Sequence, residues 1–342
     1  MKPLFYAVPL LALLCLRTLL PAGVVYYANE FLNNGGSPRA AGMGEAMAAD
    51  PADRTAGYYN PCGLLGLGKA TFLISHAKLF DADQTLNLAS AAFPLGPSRA
   101  VGVYLLRSAV DGIMNTQGFA TDNAGAPVYS SANLTYVDNA DYAMGLSYAA
   151  SAGNRLNYGA TLKVLRRRLY DLTGYGIGLD AGAQYRVTPE FTLGLTGKNL
   201  TTTATRYFAD DWEVSLPELY AGVVYKMDAE YIYGSIEFAY QAGNLLSTSG
   251  VSQGAFGGTA DMDNAAPGET GLLKDPLGYF TRGNFGVEYT MRRKLFFRLG
   301  TNAQYAYTMG AGIKIKNLNV DFAFLHHLQM DDSYRFSLAW DL

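Results

Sequence analysis

Along most of the chain, large apolar side chains alternate with small or polar ones. Over residues 174–187, Tyr175, Ile177, Leu179, Ala181, Ala183, Tyr185 and Val187 interleave with Gly176, Gly178, Asp180, Gly182, Gln184 and Arg186. A period of two sends the two sets to opposite faces of a β-strand. The same pattern recurs at Leu156, Tyr158, Ala160, Leu162 and Val164, and at Phe191, Leu193 and Leu195. It returns at Tyr305, Tyr307, Met309, Ala311, Ile313 and Ile315, and at Leu318, Val320, Phe322 and Phe324. Extended along the chain, it predicts fourteen strands near 69–79, 85–94, 99–108, 141–150, 155–168, 174–187, 190–199, 218–228, 230–241, 281–291, 294–303, 305–315, 318–328 and 333–342. An even count is what a bacterial outer-membrane barrel needs.

The connections fall into two sets. Those at 95–98, 151–154, 188–189, 229, 292–293 and 316–317 are tight, and the long ones, 109–140, 200–217 and 241–280, all lie on the other side. Short periplasmic turns with long extracellular loops give that asymmetry. The strand-like "YSSANLTYVD", Tyr129 to Asp138, is assigned to the first long loop, because a further strand would make the count odd. Alternation also occurs in soluble sandwiches. Here, however, the polar faces are crowded with glycine, which suits a lumen better than a solvated surface. The expected class is all-β, a transmembrane antiparallel β-barrel of about fourteen strands with an N-terminal plug.

The final segment alternates Tyr334, Phe336, Leu338, Trp340 and Leu342 up to the last residue. It resembles the C-terminal recognition signal of outer-membrane barrels, with Leu in place of the usual terminal Phe or Trp. Tyr170, Tyr175, Tyr231, Tyr305 and Trp340, near strand ends, are candidates for interfacial girdles.

Composition agrees with this class. The 342 residues carry 26 Lys+Arg against 29 Asp+Glu, a formal net charge of −3 that offers nothing to nucleic acid. Charged residues make up 16%, well below the roughly 25% of soluble domains, while 25 Tyr, 17 Phe and 38 Gly are high. Residues 1–23 read as a signal peptide, with Lys2, an apolar run broken by Arg17, and cleavage near Ala22 or Gly23, or else after Ala28. Removing it removes Cys15 and leaves Cys62 as the only cysteine, so no disulfide is expected within the chain.

Between leader and first strand lies "RAAGMGEAMAADPADRTAGYYNPCGL", residues 39–64, too rich in small residues to build a core alone. It is expected to fold inside the barrel, giving a hatch over 24–68 and a barrel over 69–342. Its motifs "RAAGMGEA" and "AGYYNPCGL", together with "LKVLRRRL", "GLDAGAQYR" and "LGLTGKNL", resemble FadL-type outer-membrane transporters and their PorV/PorQ-like relatives. Cys62 stands where that family usually has Ala. The resemblance implies a fourteen-stranded barrel occluded by an N-terminal hatch. Its function would be passive uptake of hydrophobic, long-chain fatty-acid-like molecules or, in the PorV-like branch, docking of cargo or a translocon of a protein secretion system.

Arg39, Glu45, Asn60 and Pro61 are the residues expected to place the hatch, with Asp180, Lys198, Glu237 and Arg298 as charged partners on the lumen wall. Both signs occur on the inner wall, so mutual pairing and pairing with Asp50, Asp53 and Arg54 is expected. Leu245, Leu246, Phe256, Leu272, Leu273 and Phe280 are candidates for a ligand-capture loop, and Arg166–Arg168 for a charged rim. The expected partners are outer-membrane lipid and a hydrophobic small molecule, or secretion-system proteins, around a monomer. Catalysis is not expected, nor is a cofactor or a metal. His326 and His327 are adjacent on a strand and point to opposite faces, as do Ser75 and His76, so neither pair can act as a dyad.

Overall fold

The computed structural model describes residues 29–81, 84–115, 135–169, 172–201, 203–207, 212–246, 280 and 283–342. The leader, with Cys15 and the cleavage positions, lies outside them, as do Tyr170, Phe256, Leu272 and Leu273.

The alternating segments form β1 (Thr71–Leu79), β2 (Gln84–Pro94), β3 (Arg99–Asn115), β4 (Thr135–Ala152), β5 (Leu156–Leu169), β6 (Leu172–Arg186), β7 (Phe191–Lys198), β8 (Thr203–Tyr207), β9 (Trp212–Ser215), β10 (Glu218–Ala229), β11 (Gly234–Gln241), β12 (Asn284–Met291), β13 (Leu295–Thr301), β14 (Tyr305–Ile315), β15 (Leu318–His327) and β16 (Ser333–Asp341). Every pairing is antiparallel, and β1 pairs with both β2 and β16, so the sheet closes on itself. β6 pairs with β7 along one half and β8 along the other, while β9 pairs with β8 and β10 with β7. Sixteen strands therefore occupy fourteen wall positions, with β7 and β8 sharing the seventh and β9 and β10 the eighth. Closure removes the edges of the main wall, while β9, among the described residues, pairs with β8 alone.

Facing follows the pleat. In β1, Phe72 and Ile74 point out while Thr71, Leu73, Ser75 and Ala77 point in, and in β16 Tyr334, Phe336, Leu338 and Trp340 point out. Leu146, Leu162 and Leu179 stand side by side on the outside of β4, β5 and β6. An arginine there would sit in the hydrocarbon band. Leu162→Arg is expected to destabilise the folded barrel by about 2–4 kcal/mol near the midplane, read as a lowered urea midpoint in lipid vesicles.

Three expectations are corrected. Thr135–Asp138 is not loop but the outer end of β4, which with β3 reaches beyond the anticipated 99–108 and 141–150. The strand-like stretch thus prolongs a strand already counted and leaves the parity intact; residues 129–134 lie outside the described residues. The connection 200–217 holds the β8–β9 hairpin. Tyr305 is neither on the outer face nor in a girdle: a register shift between Tyr305 and Tyr307 turns it inward, where it is 3% exposed and meets the His327 ring edge-on at 4.8 Å. A one-residue slip moves a side chain to the opposite face.

Candidate functional site

The chain from Asn29 to Leu67 lies against the inward faces of the strands. Asn29 donates to Ser215 Oγ at 2.9 Å and accepts from Thr205 Oγ1 at 3.2 Å, beside the β8–β9 hairpin. Ser37 then caps a short helix, Pro38–Gly42, accepting from the Ala40 N–H, with Pro38 in the first turn where a missing N–H costs nothing. A second helical turn, Ala56–Tyr59, ends at extended Asn60, whose Oδ1 accepts from Cys62 N at 3.1 Å and so starts the 3₁₀ turn Pro61–Gly66. Asn60 Nδ2 also donates to Ala48 O at 2.6 Å, joining two parts of the segment. Pro61 opens that turn and lies over Gly159 of β5. Cys62 is fully buried, and burial pushes its thiol up to about 12, so it packs as a neutral small residue.

Two bare patches let the segment approach the wall closely. Gly194 and Gly222 face each other across β7 and β10, and Gly286 and Gly300 across β12 and β13. A Cβ at Gly194 would fall on the Ala48–Ala49 backbone, and one at Gly286 on that of Met43. The glycines that marked a lumen in the sequence are therefore contact points for main chain.

Buried charges fix the segment. Arg39 reaches Glu237 of β11 at 3.0 Å, Glu288 of β12 at 3.3 Å and Asp53 of its own segment at 3.1 Å, and it also pairs with Asp50. Glu288 is shared with Arg298, at 2.6 Å, and Arg298 binds Asp321 at 2.6 Å. Glu45 is held by Arg335 of β16 at 3.2 Å and by the Tyr59 hydroxyl at 2.7 Å. Near the end of β16, Asp341 receives Arg54 at 2.8 Å and Lys314 at 2.9 Å. From β6, Gln184 donates to the Asp50 carbonyl at 2.6 Å, and from β5 Thr161 donates to the Gly57 carbonyl at 3.0 Å.

Of the four wall charges singled out in the sequence, Glu237 and Arg298 join the Arg39 cluster. Asp180 pairs instead with Lys163 at 2.8 Å, and Lys198 rests its ammonium over the rings of Tyr58 and Tyr59, 5.1 and 5.7 Å from their centroids. Gln184, Thr161, Gln241 and Asp341 were missed. The signal at Gln184, Thr161 and Gln241 was an inward polar residue next to inward glycine, too common here to single them out, and Asp341 had no glycine beside it to mark it. Ala242 and Leu245 continue the pairing along β10, with Leu245 N donating to Leu219 O at 2.7 Å, and Leu246 is exposed. Phe280 is exposed, and its carbonyl accepts from the Tyr240 hydroxyl.

The wall is uneven at its seventh position. Six residues, 198–203, stand opposite three, 178–180, between the Ala181–Gly197 and Ile177–Ala204 pairs. Asn199, at φ 55°, donates its N–H to Asp180 at 2.7 Å; its side-chain oxygen accepts from Lys163 at 2.7 Å and Thr203 at 2.8 Å. β3, by contrast, runs unbroken past Gly102, which pairs with Ala92 on one side and Ser147 on the other.

Neither a known family profile nor a curated protein matches the sequence. Solved structures do resemble it. The toluene transporter TbuX of Ralstonia pickettii superposes with a TM-score of 0.52 at 16% identity, over 91% of this chain and all of that one. The monoaromatic hydrocarbon channel CymD gives 0.50 at 14% identity, over 91% and 98%, and the Pseudomonas putida toluene transporter TodX 0.50 at 12%, over 92% and 98%. The chain has the fold of these hydrocarbon channels. Identities this low establish the fold and leave the ligand open, and the match runs over nearly the full length of each channel. Among the described residues no group of three or more His, Cys, Asp or Glu is placed to hold a metal, and no helix is long and apolar enough to cross a membrane.

Proposed function

We propose that the chain is an outer-membrane channel for passive uptake of hydrophobic small molecules, with the N-terminal segment as its hatch. The reading rests on one observation above all. A single segment is tied at once to β5, β6, β11, β12 and β16, and so to well-separated parts of one closed wall. A segment held in that way impedes free passage of polar solutes and leaves the wall's apolar exterior to lipid. The shared fold of toluene transporters supports a hydrophobic cargo, of the hydrocarbon or fatty-acid kind, over a docking role in secretion.

Deleting residues 39–64 tests the hatch. In proteoliposomes the shortened protein is expected to admit small sugars that the full chain excludes, while keeping its heat-dependent band shift on gels. Unchanged sugar permeability in a folded deletion variant would refute the hatch. Uptake of a labelled hydrocarbon and a labelled fatty acid by cells carrying the full chain tests the cargo, and rates equal to those of cells without the protein would refute it.

A further inference from the structure

On the loop-facing side of Tyr58 and Tyr59 lies a cavity of about 90 Å³ whose walls include Lys198, Thr196, Gln241, Glu45 and Asn284. Three of these bring hydrogen-bond donors with nothing to serve. Lys198 has only the two tyrosine faces, with no hydrogen bond or ion pair to any described residue. Thr196, two residues before it on the same face of β7, is 2% exposed, and its hydroxyl has no hydrogen-bond partner. Gln241 spends its side-chain oxygen on Met47 N and Ala48 N, at 3.2 and 2.9 Å, which leaves its NH₂ group unused among the described residues. A buried hydroxyl without an acceptor is costly, and native proteins seldom keep one beside a half-buried, unpaired ammonium without a ligand or water.

The neighbouring acids do not fill this need. Glu45 is already engaged through both oxygens, by Arg335 and by Tyr59. Glu218 stands directly across from Lys198 on β10 and is 4% exposed, yet it is not within ion-pair distance, and its Oε2 has no hydrogen-bond partner. It lies outside the cavity wall and competes electrostatically for the same ammonium.

We propose that this cavity is a carboxylate site, in which Lys198, Thr196 and Gln241 together hold the acid group of a small organic acid. An anion offers the acceptors that an ammonium, a hydroxyl and an amide N–H share. Size argues the same way. At about 90 Å³ the cavity is smaller than the apolar cavity of about 150 Å³ that takes benzene, and so fits an acid group better than an aromatic ring. The acid group belongs either to a free short-chain acid or to the leading end of a longer amphiphile. The site stands on its own geometry and does not require the uptake reading.

The test uses the full chain in a neutral detergent, titrated by calorimetry with sodium acetate, sodium octanoate and octanol. Acetate is expected to bind saturably, Lys198→Met to weaken it at least about tenfold and Thr196→Val severalfold, as loss of charge-assisted and neutral hydrogen bonds would. Thr196→Val removes only an unpartnered hydroxyl, so folding is unaffected. Glu218→Gln is expected to tighten acetate, which a merely structural Lys198–Glu218 pair would not do. Octanoate binding without acetate binding, lost in Lys198→Met and absent with octanol, supports the site and assigns it to the end of a longer molecule. Equal affinity for octanoate and octanol, or acetate binding unchanged in both Lys198→Met and Thr196→Val, overturns the proposal. Hydrocarbon uptake by those same variants reports on the channel separately.

Discussion

Replacing Arg39 with Met should release the N-terminal segment while leaving the barrel standing. The guanidinium is the common partner of Asp50, Asp53, Glu237 and Glu288, all of them buried. Removing one member of a buried ion cluster strands the others, and the cost is about 3–5 kcal/mol. Because the wall strands pair through their own backbones, that cost falls mainly on the segment. Amide exchange is the appropriate measurement: protection over residues 37–64 should drop sharply in Arg39→Met, while protection in β12–β16 should stay near that of the parent. Adding Glu237→Gln to the variant should restore part of the protection, since Glu288 keeps Arg298 at 2.6 Å whereas Glu237 is left with only the half-exposed Lys226 at 3.6 Å. Exchange unchanged over 37–64 would mean that glycine-patch packing alone holds the segment.

The second large effect belongs to the wall. Lys163→Met should lower stability by about 3–5 kcal/mol, because Asp180 is left charged and buried at 5% exposure where it shapes the six-against-three insertion. Asp180→Asn added to Lys163→Met should recover much of the loss, since an amide oxygen still accepts from Asn199 N without carrying a charge. Urea midpoints of the four proteins form a double-mutant cycle. Additivity within about 0.5 kcal/mol would show that the pair does not act as a unit.

How far the sequence spoke depended on what surrounds each side chain. Lipid imposes one rule on every outward position, so β5, β6 and β16 could be read directly from Leu162, Ile177 or Phe336. Where a local event overrides the period, the reading failed: the shift at Tyr305 flipped one ring inward, and short polar Thr203–Tyr207 carried too few large residues to announce β8. In the N-terminal segment, Arg39 and Asn60 stood out by motif, and both are deeply engaged. Their partners did not stand out. Whether Glu237 or Asp180 meets Arg39 depends on strand order around the barrel and on register, which are set far from Arg39 in the chain. Lys198 makes the point most sharply, since its charge suggested a salt bridge and its surroundings are two aromatic faces and a small polar cavity.

The paired glycines at Gly194/Gly222 and Gly286/Gly300 bear on kinetics. Where main chain rests on main chain, no rotamer flip can clear a passage, because there is no side chain in the way to swing. In the channel proposed above, traffic past these points would require the peptide itself to lift as a body, a motion of microseconds to milliseconds rather than nanoseconds. Conductance through the intact protein should then appear as rare, discrete openings, with durations set by the clasp and not by the size of the solute.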